Sequence, residues 1–243
     1  VKSGKMIRLD ARLLVGLRGP DLVATTARLA LIHKMGFAGR LLRLQRYDFF
    51  HLSIESPATA EATIDALQNT LARQSTFYNR NKHMYSLECL WDGHSRTDGP
   101  GHDELREQFG QGTGSPRTAT GNPEAATGID FDGKAGSKVD IVNVSPAFLV
   151  EVSVQDDDSA GRDAIAAKLT RELSGMLGGT VRVQCPSRAT VWWLGIAARD
   201  EAAAMETARQ ITVTKRRDEG LLMNPNYQRA EFVSAGRIDP ARS

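Results

Sequence analysis

The chain has 243 residues, 41% of them hydrophobic, with 31 Lys and Arg against 29 Asp and Glu for a formal net charge of +2. That apolar content supplies ordinary cores for two small domains, and the balanced charge excludes a global electrostatic attraction to nucleic acid or to an anionic membrane. No segment has the length of a bilayer span and the N-terminus has no apolar stretch of the signal-peptide kind, so a soluble, cytoplasmic protein with no nucleic-acid or membrane partner is expected.

Residues 8–18 alternate, with Leu9, Ala11, Leu13, Val15 and Leu17 on one face and Arg8, Asp10 and Arg12 on the other. This is the pattern of a half-buried antiparallel strand. Gly19-Pro20-Asp21 interrupts it and offers an aspartate as helix cap; Leu22, Thr26, Leu29 and Ile32 then fall near one helical face, and Gly36 ends the helix. Two strands are predicted next, over 40–45 and 47–55, joined by a tight turn. Ser56-Pro57 opens a second helix with the apolar stripe Ala60, Ile64, Leu67 and Leu71, and residues 83–90 form a last strand.

The same order returns after residue 147, with corresponding positions roughly 140 residues apart. Residues 148–154 read as a strand, and Ile165, Leu169, Leu173 and Met176 mark a helix stopped by Gly178-Gly179. Val181 and Val183, then Trp192, Leu194 and Ile196, read as two more strands, and Ala204, Ala208 and Ile211 line another helix. Two local echoes support the duplication. Arg43-Leu44-Gln45 matches Arg182-Val183-Gln184, and the long helices run into asparagine-rich turns, Asn79-Arg80-Asn81-Lys82 and Asn224-Pro225-Asn226-Tyr227.

The expected fold is α+β, with two ferredoxin-like βαββαβ units, each a four-stranded antiparallel sheet with two helices on one face, forming an internal pseudo-dimer. The first unit spans 1–91, the second 147–236, and 237–243 is a tail. Between them, 92–146 is dominated by Gly, Ser, Thr, Pro and charged residues and reads as a flexible linker.

Signatures of nucleotide, zinc or dithiol chemistry are missing, and no catalytic residue, metal or cofactor is expected. His94 and His102 near Asp98, Asp103 and Glu104 read as polar linker residues rather than a metal cluster, and Asp156-Asp157-Asp158 reads as solvation and capping. His51, on the less apolar face of its strand, is the one candidate general base, with no carboxylate partner identifiable from spacing. Cys89 and Cys185 read as buried thiols of a reducing compartment, with a disulfide between them left open.

Partner contact is the better assignment for two groups. Arg40, Arg43 and Arg46 form a candidate cationic stripe along one strand. Trp192 and Trp193 point to opposite faces, so one enters the core and the other projects onto a partner or the sister unit; Trp192 is taken as the contact residue. The asparagine turns add Asn79, Asn81, Lys82, Asn224, Pro225, Asn226 and Tyr227.

Each unit resembles the PurS family, the small subunit of phosphoribosylformylglycinamidine synthase. The resemblance rests on an apolar first strand, the helix end Met35-Gly36-Phe37, the Leu42-Arg43-Leu44 and Val181-Arg182-Val183 strands, and Leu221-Leu222-Met223-Asn224-Pro225 followed by Glu231-Phe232-Val233. The first unit keeps only Asn79 and Asn81 of that ending, and both lack the family's Asp-Pro-x-Gly segment. The resemblance implies a non-catalytic, self-associating subunit that bridges the synthetase and glutaminase subunits in purine biosynthesis. A tandem ACT-like regulatory module, binding an amino acid or other small ligand, has the same element order and is the alternative, and a ferredoxin-like dimeric barrel using His51 is the enzymatic one.

Overall fold

A computed structural model describes residues 6–99 and 146–238, apart from 74–76, 78, 80, 157 and 216–219. In chain order the elements are β1 (Ile7–Leu17), α1 (Leu22–Lys34), β2 (Leu41–Ser56), α2 (Ala60–Arg73), β3 (His83–Trp91), β4 (His94–Asp98), β5 (Ala147–Asp156), α3 (Ser159–Leu177), β6 (Arg182–Ala197), α4 (Glu201–Thr212) and β7 (Gln228–Ile238). The strands among the described residues make one seven-stranded sheet in the order β4-β3-β1-β2-β6-β5-β7, with every neighbour antiparallel.

The sequence places two strands in the middle of each half; the structure has one. Both β2 and β6 are continuous over 16 residues. They pair along nearly their whole length, from Leu41 opposite Ile196 to Glu55 opposite Arg182, with Asp48 opposite Thr190 near the middle. β1 covers only the later part of β2, from Ser56 to Asp48, and β5 covers only the later part of β6, from Ala197 to Ala189. The register shifts beside His51, in the stretch of β6 that contains Pro186, a residue without a backbone donor for the ladder.

The long strands carry the chain between two hydrophobic cores. The first contains Leu9 and Leu13 of β1, Ile64, Leu67 and Leu71 of α2, and Leu87 of β3, closed by Leu169 and Leu173 of α3 and Val183 of β6. The second contains Val150 and Val152 of β5, Trp192 and Leu194 of β6, and Ala204 and Ile211 of α4, closed by Ala24 and Leu31 of α1 and Leu44 of β2. The first helix of each half therefore packs over the other half. This corrects the expectation that each pair of helices covers its own four-stranded sheet.

Local chemistry sets the helix ends. Asp21 Oδ1 accepts hydrogen bonds from the Val23 and Ala24 amides at 2.8 and 3.2 Å, and Asp158 and Asp200 cap α3 and α4 in the same way. α2 starts at Ala60, later than the Ser56-Pro57 signal indicates. There Ser56 Oγ accepts from the Ala58 amide and from Thr63 Oγ1. β4 lies inside the segment read as linker: Asp92 and Gly93, with φ of 43° and 79°, make a two-residue hairpin turn that returns the chain along β3. The bulk of that segment, with His102, Asp103 and Glu104, lies outside the described residues. Among the described residues, no helix is long and apolar enough to cross a membrane.

The four helices among the described residues lie on one face of the sheet. The other has an apolar centre of Tyr47, Met84, Leu149 and Val191, with Leu14, Leu42, Phe49 and Trp193 around it, and no helix residue belongs to this cluster. Ion pairs rim it, Arg12 with Glu88 at 3.5 Å and Arg8 with Asp10 at 3.9 Å.

Candidate functional site

The three arginines of the candidate stripe have different environments. Arg40 precedes β2, donates to the Gly36 carbonyl at 3.2 Å and lies over the Phe37 ring, exposed to solvent. Arg46 donates through Nε to Asp21 Oδ2 at 2.9 Å, so the aspartate that caps α1 also anchors that helix to β2. Arg43 is half-buried, and burial lowers its guanidinium below the ordinary arginine value, with the nearby Tyr47 acting in the opposite direction. A comparable but longer pair, Arg188 to Asp158 at 3.9 Å, links the α3 cap to β6.

Arg43 and Arg46 line a cleft of about 340 Å³ between the β1–α1 connection and β2. It opens where the β1–β2 ladder stops, after Val15 opposite Asp48, while β2 still pairs with β6 on its other side back to Leu41. Leu17, Arg18 and Asp21 form one wall, with Arg43, Gln45 and Tyr47 among the residues of the other. Arg18 was not singled out from the sequence. Its backbone amide donates to the Lys82 carbonyl at 2.8 Å and its Nε to the His83 carbonyl at 3.0 Å, so the first asparagine turn is fastened beside the cleft. Tyr47 donates its hydroxyl to Gln45 Oε1 at 3.0 Å, and burial raises its phenol above the ordinary tyrosine value, leaving it neutral.

The two asparagine turns match bond for bond. Asn79 Oδ1 accepts from the Asn81 amide at 2.9 Å, its carbonyl accepts from the Lys82 and His83 amides at 2.9 and 2.8 Å, and its own amide donates to His83 Nδ1 at 2.8 Å. Asn224 Oδ1 accepts from the Asn226 amide at 3.1 Å, its carbonyl accepts from the Tyr227 and Gln228 amides at 3.1 and 3.0 Å, and its own amide donates to Gln228 Oε1 at 2.9 Å. Asn79 and Asn224 therefore hold the turns together, and the surface is offered by Asn81, Lys82, Pro225, Asn226 and Tyr227, the last 76% exposed. Leu222 and Met223, just before the second turn, are anchored in the second core.

The tryptophans divide as adjacent strand residues must, but in the other sense from the assignment of Trp192 as the contact residue. Trp192 is 6% exposed and belongs to the second core. Trp193 lies on the helix-free face, donating Nε1–H to Glu151 Oε2 at 2.9 Å with its ring 4.6 Å from that of Tyr47.

His51 does have a carboxylate neighbour. Its Nε2 is 3.6 Å from Asp10 Oδ1, across the β1–β2 ladder and one diagonal from its direct partner Arg12. Diagonal neighbours in an antiparallel pair are close enough for such contacts, a signal visible only once the register is known. Cys89 and Cys185 are free and buried in the same core. Burial, with a smaller contribution from Asp98, pushes the Cys89 thiol up to about 12, and burial also raises Cys185, so neither is poised as a nucleophile. Among the described residues no group of three His, Cys, Asp or Glu side chains is placed to hold a metal ion.

No family model matches the chain, and no curated protein or solved structure is significantly similar to it.

Proposed function

We propose that the chain is a tandem PurS-like scaffold: two ferredoxin-like units fused into an internal pseudo-dimer that bridges the synthetase and glutaminase subunits of phosphoribosylformylglycinamidine synthase. The observation that carries this reading is the pair of asparagine turns, equivalent in all four hydrogen bonds, the second of which follows the Leu221-Leu222-Met223 segment that resembles the family. The equal length of β2 and β6 and their pairing about a common centre support the pseudo-dimer. Partner contact then falls to groups that the fold leaves outside its cores, namely Arg40, Asn81, Lys82, Asn226 and Tyr227.

Affinity purification of the tagged chain from its native cells tests this. Copurification of an ATP-dependent synthetase subunit and a glutaminase subunit is expected. Recovery of neither, with the tagged chain folded and abundant, contradicts the reading.

A further inference from the structure

Among the described residues, three of the eight large hydrophobic side chains left exposed sit on α1: Leu22 at 76%, Val23 at 51% and Leu29 at 48%. Leu22, Thr26 and Leu29 follow the spacing of one helical stripe, and all three face solvent. The apolar residues of α1 therefore mark two faces. Ala24 and Leu31 enter the second core, whereas the stripe begun by Leu22 turns outward. Folding does not require this. α3 does the equivalent packing in the first core through Leu169 and Leu173, and its outward positions include Asp163, Ala164, Ala167, Arg171 and Glu172. An apolar outer face on one of two equivalent helices is the mark of a contact made outside the fold. The charge around the stripe has one sign. α1 contains no acidic residue and ends in His33-Lys34; Arg40 is exposed beyond its C-terminal end, and Arg18 and Lys82 are exposed before its N-terminal end, where the Arg18 amide donates to the Lys82 carbonyl. The carboxylate that precedes the helix, Asp21, is used in capping α1 and in holding Arg46. Arg40 and Lys82 are themselves assigned to partner contact above, so the stripe joins two parts of that surface.

We infer that the outer face of α1 docks an amphipathic helix of one of the two bridged subunits, with apolar side chains against Leu22 and Leu29 and flanking carboxylates against Lys34, Arg40 and Lys82. This rests on the bridging reading and adds to it the surface and the chemistry of the partner. From Leu22 to Leu29 the helix rises about 10 Å, a length along which a second helix sets its own i, i+4 and i+7 side chains. A second copy of this chain is the poorer occupant. Two such faces would bring like-charged rims together, and the stripe alone falls far short of the about 800 Å² that each partner of a stable complex covers. A bridged subunit covers the first asparagine turn as well.

The test uses the full chain with the photo-crosslinking substitution Leu29→p-benzoylphenylalanine, mixed with the purified synthetase and glutaminase subunits, irradiated, and mapped by mass spectrometry. A crosslink to one subunit is expected, inside a helical segment whose apolar stripe is flanked by Asp or Glu. Binding without a crosslink, a crosslink to a second copy of the chain, or one to a segment without acidic flanks overturns the inference. Leu22→Glu and Leu29→Glu, which set a carboxylate in an apolar contact facing other carboxylates, should each weaken binding of that subunit roughly tenfold. Lys34→Glu should weaken it less, by an amount that shrinks as salt is raised, and Met176→Glu on the exposed side of α3 should leave it unchanged. Undiminished affinity in both leucine variants refutes the α1 interface and leaves the bridging role standing, whereas failure of the native chain to bind either subunit refutes both. The leucine variants are read only with an unchanged thermal midpoint, and the crosslink map decides the question where a variant does not fold.

Discussion

At the residue scale, side chains of the same type take different tasks according to what they meet. Cys89 and Cys185 sit in one core with raised thiol values, so both should resist thiol reagents near neutral pH and react only when the chain unfolds. The raised Cys89 value also has a pH consequence. A thiol moved from 9.0 to about 12 contributes stability fully present below its unfolded value and lost as pH rises through that window. The urea midpoint should therefore fall more steeply across it in the native chain than in Cys89→Ala. Equal slopes would show that the thiol is not responsible. Asn79→Ala and Asn224→Ala should each cost about 1 kcal/mol, through loss of the side-chain bond that closes the turn, and the two costs should agree in chemical denaturation. A large cost in one and none in the other would break the equivalence of the turns. Arg40, Arg43 and Arg46 are not a uniform exposed stripe. Arg46→Glu places a carboxylate against Asp21 and should cost on the order of 1 kcal/mol or more, whereas Arg40→Glu should change stability by less than about 0.5 kcal/mol.

At the element scale, the exchange of first helices is the main finding beyond the element order. Leu31 and Leu169 are fully buried in cores built mostly by the opposite half. Leu31→Ala should cost about 2 to 5 kcal/mol and lower amide protection in β5 and α4 first, while Leu169→Ala should act on β1 and α2. Hydrogen exchange reads this directly, and loss of protection confined to each helix's own half would contradict the exchange. Much of the element inventory was legible. The alternation from Leu9 to Leu17 and the stripe from Ala60 to Leu71 are local consequences of one-sided burial, and strand and helix periods report it. The continuity of β2 was not legible, because Arg46, between the runs 40–45 and 47–55, reads as a tight turn when the partner strand is unknown; Arg46 is satisfied by Asp21 and Tyr47 turns to the helix-free face. The partner core chosen by α1 and α3 is likewise a tertiary fact that no helical period encodes. The β3–β4 hairpin is a different case, since Asp92-Gly93 is a readable turn signal and β4 has no apolar residue to mark it as a strand.

At the scale of the whole molecule, two sequence halves make one interdependent body. The first core needs α3 and part of β6, and the second needs α1 and part of β2, so residues 1–99 and 146–243 expressed separately should fold only on mixing. Two independently folded fragments would contradict that dependence. Of the candidate site, the asparagine turns and Arg43 were readable as residue types in a repeat, whereas Arg18, the cleft and the Asp10 neighbour of His51 emerge only from strand register. Under the proposed bridging role, ammonia released at one active site would have to reach a second before it escapes, and a body that holds the sites together would raise productive transfer without contributing a catalytic group. The most direct measurement is reconstitution with separate synthetase and glutaminase subunits. The bridging role predicts that the chain has no glutaminase, ATPase or synthase activity alone and restores glutamine-dependent turnover when added, with Tyr227→Ala reducing the restoration while the fold stays intact. Turnover that is unchanged by adding the folded chain would contradict it.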